Sequence, residues 1–136
     1  MPSGSTIAKW NVNEDSFTEY DRRHGILRDY CNTRVNQRDA AESLRFVLEG
    51  FLRVAYPEDF PPGTLWRQFR EKVRQSLRTA TPVMTNNDFQ GLANLFEYAS
   101  KFHHDTNPAW ETDLRNINDA ELLGFVRRTL EFVKRR

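Results

Sequence analysis

A single cysteine, Cys31, in 136 residues leaves no partner for an internal disulfide, which points to a reducing compartment. No apolar run approaches the ~20 residues that a bilayer-spanning helix needs, and the N-terminus lacks the hydrophobic stretch of a signal peptide. The expected location is therefore the cytoplasm, with no membrane contact. There is no internal repeat and no alternating apolar/polar pattern of the kind strands produce. A Gly-x-x-x-x-Gly-Lys-Ser/Thr phosphate loop is also missing, so the usual backbone cradle for a nucleotide is not encoded.

What the chain does have suits one small core. It is 38% hydrophobic and 12% aromatic, and its length fits one domain rather than two. Residues 1–13, opening "MPSGSTIAKW", read as a flexible tail or expression remnant, and 14–136 as a single helical domain. From about Asp15 to Tyr30, Phe17, Tyr20, His24, Leu27 and Tyr30 recur at helical spacing before the polar connector "CNTRVNQRD". Leu44, Val47, Leu48, Phe51 and Ala55 form the clearest stripe, ended by Pro57. Gly50 lies inside that helix, where it costs about 1 kcal/mol relative to Ala and marks a close helix crossing.

Three more stripes follow. Thr64 is read as the N-cap of a helix carrying Leu65, Phe69, Val73 and Leu77. Thr85 with Asp88 opens another, carrying Phe89, Leu92, Leu95, Phe96 and Ala99 and running on into "KFHHDTNPAW". Asn118 with Glu121 caps the last, with Leu122, Val126, Leu130 and Val133 inside and Lys-Arg-Arg at the negative end of the helix dipole. Amphipathic segments joined by short turns must each bury one face, so the expected fold is all-α, a single compact bundle of about five helices.

Charge is uneven despite a formal net of +1: Arg67, Arg70, Lys72, Arg74 and Arg78 face a single acid, Glu71, over residues 64–78. On the second helix Glu42, Arg45, Glu49 and Arg53 make a charged stripe, which is either a solvated ladder or part of a site. If the fourth helix continues, His103 follows Ala99 inward and His104 turns about 100° away toward the polar flank. Adjacent helical histidines diverge, chelation on a helix wants a spacing near i, i+4, and His24 is the only other histidine. The expectation is no metal and no cofactor. Metal-free RNA cleavage needs a base, an acid and a cation on the phosphorane, which Glu49, His104 and Arg45 together supply.

The segments "SFTEYDRRHGILRDY", "ESLRFVLEGFLRVAYPEDFPPGTL", "YASKFHHDTNPAWET" and "INDAELLGFVRRTLEFV" resemble the C-terminal region of bacterial AAA-family ATPases with ABC/SMC-like heads, a group that includes the anticodon-nuclease-type defence ATPases. The resemblance spans roughly residues 15–134, with "KFHHDTNPAWET" its most specific string. It implies a HEPN-like helical domain, either a C-terminal piece of such a system or a stand-alone relative, with the ATPase machinery outside these residues. It also implies two functions. One is a docking and regulatory module in anti-phage defence, partnered by the ATPase head or another protein. The other is a metal-independent ribonuclease acting on RNA such as tRNA. For the second, Arg45-x-x-x-Glu49 matches the nuclease pair and His104 the downstream histidine, His103 being second choice. Arg53, Arg67, Arg70, Arg74, Arg78 and Lys101 would then hold the RNA backbone, and a homodimer could complete the groove. The Arg-x(4–6)-His signature of HEPN ribonucleases is absent, since Glu97, Tyr98 and Ala99 precede the histidines.

Overall fold

In the computed structural model the backbone is described for residues 4–134, and side chains from Thr18 onward. Among these residues there are six α-helices and one 3-10 turn: α1 (Gly4–Thr33), α2 (Gln37–Ala55), α3 (Trp66–Ser76), α4 (Asn86–Ala99), the 3-10 turn (Ser100–Phe102), α5 (Trp110–Arg115) and α6 (Asp119–Lys134). The expected all-α bundle is what the chain forms. The side chains of the expected tail, and that of Phe17, lie outside the described residues.

The apolar stripes of α2, α4 and α6 face the core. On the α3 stripe Phe69 and Val73 are buried, but Leu65, which stands at the N-cap outside the helix, is 50% exposed and Leu77 only partly covered. On α2 Leu44, Val47, Leu48 and Leu52 are 1% exposed or less, because positions three and four apart share one helix face. That face meets Leu27 and Tyr30 of α1 and Leu122 and Val126 of α6 in one core, and the three helices pack pairwise. Gly50 is the crossing point: a Cβ there would stand 2.5 Å from Cδ1 of Tyr20 on α1. The tight α1–α2 reversal puts Arg34 and Asn36 at φ 61° and 60°, a left-handed conformation that Asn adopts more readily than Arg.

An ionic latch that the periodicity does not announce fixes this reversal. Asp119, first residue of α6, accepts from Arg34 through Nε (3.1 Å) and Nη2 (2.8 Å), from the Tyr30 hydroxyl, and from Gln37 Nε2 (3.3 Å). Burial and the Asp119 carboxylate push the Tyr30 hydroxyl up to about 12, and the hydrogen bonds from Tyr30 and Arg34 hold the Asp119 carboxyl below its ordinary range.

The outer helices attach through aromatic rings. Trp66 of α3 stacks on Phe96 of α4 at 4.1 Å, and Phe60 meets Phe69 edge-on at 5.3 Å. Tyr98 of α4 stacks on Phe125 of α6 at 3.9 Å. Two expected caps are present: the Asp88 N–H donates to Thr85 Oγ1 (3.1 Å) and the Glu121 N–H to Asn118 Oδ1 (2.9 Å). The expected cap at Thr64 is displaced by one residue, since Leu65 is the N-cap of α3 and its N–H donates to Gln68 Oε1 (2.9 Å). Two further differences matter for the site. The fourth helix stops at Ala99, and the short α5 stands where a connector was expected.

Candidate functional site

The α4 helix ends at Ala99, and polar side chains downstream take carbonyls of the 3-10 turn that follows it. Thr106 Oγ1 donates to the Ser100 carbonyl (2.7 Å), which also accepts the His103 N–H (3.4 Å), and Asn107 Nδ2 donates to the Lys101 carbonyl (2.7 Å), both beyond the α4 ladder. Asn107 also donates to Asp113 Oδ2 on α5 (2.6 Å) and accepts the Ala109 N–H (3.1 Å). Residues 100–113 are thus a structured connection, pinned by Thr106 and Asn107.

Arg45 joins that connection to α2. Its Nε donates to Glu49 Oε2 (3.3 Å) one turn along, and its Nη1 donates to Thr106 Oγ1 (3.3 Å). The two α2 side chains are half-buried, Arg45 at 12% and Glu49 at 21% exposure. The helical spacing of Arg-x-x-x-Glu explains their mutual contact, whereas the contact with Thr106 follows from the break at Ala99.

That break also overturns the expected divergence of the histidines. His103 is extended, with φ −120° and ψ 128°, so the α-helical phase does not reach either ring. The two rings stack at 4.9 Å, only 17° from parallel. His103 is the half-buried one; its Nδ1 accepts the Asp105 N–H (3.2 Å). Burial lowers its pKa, and the positive charge of Arg45 lowers it further, while Asp105 and Glu49 act in the opposite sense. His104 is exposed, with Nε2 3.0 Å from Asp105 Oδ1 and its ring edge-on to Trp110 at 6.0 Å. Arg45 and Glu49 therefore act electrostatically on His103, the second-choice histidine, and His104 turns toward Asp105 and Trp110. The donor atoms of His103, His104 and Asp105 lie within 4.8 Å of one another.

The remaining cations are dispersed. Arg67, Arg70 and Arg74 sit on α3 and Arg78 just past its end. Arg74 pairs with Glu71 at 2.8 Å, and Lys72 with Asp59 at 3.6 Å. Arg67 and Lys72 share an open hollow with Asp59 and Glu71, so acids offset its charge. The buried Nε of Arg70 has no hydrogen-bond partner. Arg53 lies over the Phe60 ring at 5.8 Å and Lys101 over that of Tyr98 at 5.2 Å, geometries in which the ring faces attract the cations.

No family model matches this chain, and no curated protein or solved structure matches it.

Proposed function

We propose that this chain is a helical docking and regulatory module, the C-terminal domain of an ATPase system with an ABC/SMC-like head acting in bacterial anti-phage defence. One observation carries this reading over a catalytic one: Arg45 is engaged by Glu49 on one side and Thr106 on the other and is 12% exposed. A cation placed to meet a phosphorane must be open to substrate, whereas this one braces a loop against a helix. For docking, α2 offers Val54 at 72% and Phe46 at 38% exposure, and the start of α3 offers Leu65 at 50%.

The test mixes the purified chain with the purified ATPase head of its own system and follows sedimentation. A stable complex, weakened by Val54→Asp or Leu65→Asp, is expected. Failure of the pure proteins to associate, with or without ATP, would remove the docking reading.

A second reading is favoured by the charges acting on His103. Arg45 and Glu49 both act electrostatically on His103, so cation, carboxylate and imidazole are near enough for their charges to be coupled. In this reading a metal-independent endoribonuclease would use Arg45 for phosphorane charge and share acid and base roles between Glu49 and a histidine. Total tRNA incubated with the pure chain in EDTA separates the two readings. Cleavage lost in Arg45→Ala, Glu49→Gln and one of His103→Ala or His104→Ala, all still folded, would establish the nuclease. RNA binding weakened and made less salt-dependent by Arg70→Glu with Arg74→Glu would place α3 on the RNA.

A further inference from the structure

The geometry points to a divalent transition-metal site at His103, His104 and Asp105, on the connection between α4 and α5, for an ion of the zinc or copper class. It does not depend on the docking reading, and an ion held there would occupy the imidazoles that the nuclease reading needs for proton transfer.

A helical His-His pair cannot chelate because neighbouring side chains diverge by about 100°. Here the helix ends at Ala99, His103 is extended, and the two imidazoles stack instead of diverging. Asp105 brings a carboxylate to the same place: its Oδ1 is 3.0 Å from His104 Nε2 and its Oδ2 is 3.8 Å from His103 Nδ1. Donors around a four-coordinate zinc with bonds of about 2.1 Å stand about 3.4 Å apart. The set within 4.8 Å therefore needs only side-chain rotation to close on an ion.

The donor types fit this class. The two imidazoles are borderline donors that favour zinc, copper or nickel over calcium and magnesium, which prefer all-oxygen shells. The single carboxylate is a harder donor that zinc also accepts. Three protein ligands leave at least one position to water, and the exposure of His104 and Asp105, 65% and 68%, keeps that side open. The connection is held in place before any ion arrives, because Thr106 and Asn107 fix the backbone on either side of the turn. Coordination through His103 Nδ1 releases the Asp105 N–H, which is exposed enough for water to take it over.

The test titrates Zn2+ alone into the untagged, EDTA-stripped chain by calorimetry, and Cu2+ alone while tryptophan emission is read. One saturable equivalent in the micromolar range is expected. His104→Ala and Asp105→Asn each lower affinity by about tenfold or more, while His24→Ala changes nothing. Cu2+ quenching falls sharply in Trp110→Phe, because that ring lies 6.0 Å from His104. Circular dichroism confirms that the exposed-site variants stay folded. An isotherm without a saturable equivalent, or one unchanged in the His103→Ala/His104→Ala double variant, overturns the site.

Discussion

The face where α1, α2 and α6 meet and the connection over residues 100–113 are both ordered, yet they are held by different forces. At the first, Leu27, Leu44, Val47, Leu48, Leu122 and Val126 lose essentially all contact with water, and the stabilisation scales with apolar area removed. At the second, Leu114 and Phe102 are the buried anchors, and the path between them follows bonds from Thr106, Asn107 and Arg45. Apolar burial is non-directional and tolerates small rearrangements, whereas a hydrogen-bonded turn depends on a few directed contacts. The first region should therefore govern global stability, and the second the local placement of the histidines.

The sharpest way to break this contrast is to strike the packed face. Leu48→Asp puts an unpaired charge among fully buried side chains and should abolish the cooperative thermal transition. Leu48→Ala should lower stability by about 2–5 kcal/mol in urea unfolding, because the surrounding helices only partly close the cavity. A wild-type-like urea midpoint for Leu48→Ala would mean that α2 does not anchor the core.

A smaller effect probes the crossing itself. Gly50→Ala gains about 1 kcal/mol of helix propensity but drives a methyl to 2.5 Å from the Tyr20 ring, a clash of the kind that costs about 1–3 kcal/mol. The net change should be destabilising. Gly91→Ala and Gly124→Ala meet nothing within 4 Å, so they should be neutral or stabilising by up to about 1 kcal/mol. Equal effects at all three would deny the close approach of α1 to α2.

In the connection, Asn107→Ala removes donors to the Lys101 carbonyl and Asp113 and an acceptor for Ala109. The expected loss is about 1–2 kcal/mol, since these bonds are partly exposed and water replaces them. Its local effect should be larger than its global one: hydrogen exchange across residues 100–113 should accelerate while that of α2 amides follows the change in global stability alone. Uniform acceleration would make the connection an integral part of the core.

The same contrast explains what could be read from the sequence. The stripes on α2, α4 and α6, the caps at Thr85 and Asn118 and the crossing at Gly50 depend on local period and local partners, and all occupy their expected places. The end of α4 does not, because Ser100 to His104 carry no breaker of their own. Thr106 and Asn107, which take carbonyls of the 3-10 turn after it, lie six residues beyond them. Choosing between His103 and His104 by helical phase rested on a helix that ends before either. The Asp119 latch is equally silent: its partners Arg34 and Tyr30 lie 85 and 89 residues away. A visible clue was Thr-Asn-Pro, whose first two residues are strong carbonyl and turn partners.

The smallest effect expected is a titration within the packed face. His24 of α1 is half-buried beside Tyr20, at 5.9 Å between rings, and burial lowers its pKa, assisted by Arg28 and opposed by Asp21. The folded chain thus keeps His24 neutral at a pH where the unfolded chain, near the ordinary 6.5, already takes up a proton. Proton uptake by the unfolded state favours it, so the contribution of His24 is fully present above pH 6.5 and declines as pH falls below 6.5 toward the lowered folded value. The carboxylates act elsewhere on the scale. Hydrogen bonds from Arg22 and Arg23 hold Glu19 at about 2, so its contribution is lost only as pH falls from 4.5 toward 2, and the lowered Asp119 acts below 3.8. Urea midpoints between about pH 7.5 and 5 isolate the histidine window. His24→Gln should flatten that slope in part, leaving the share contributed by His103. An unaltered slope in His24→Gln would mean that His24 stays solvated, and that α1 packs less closely at Tyr20 than the Gly50 crossing requires.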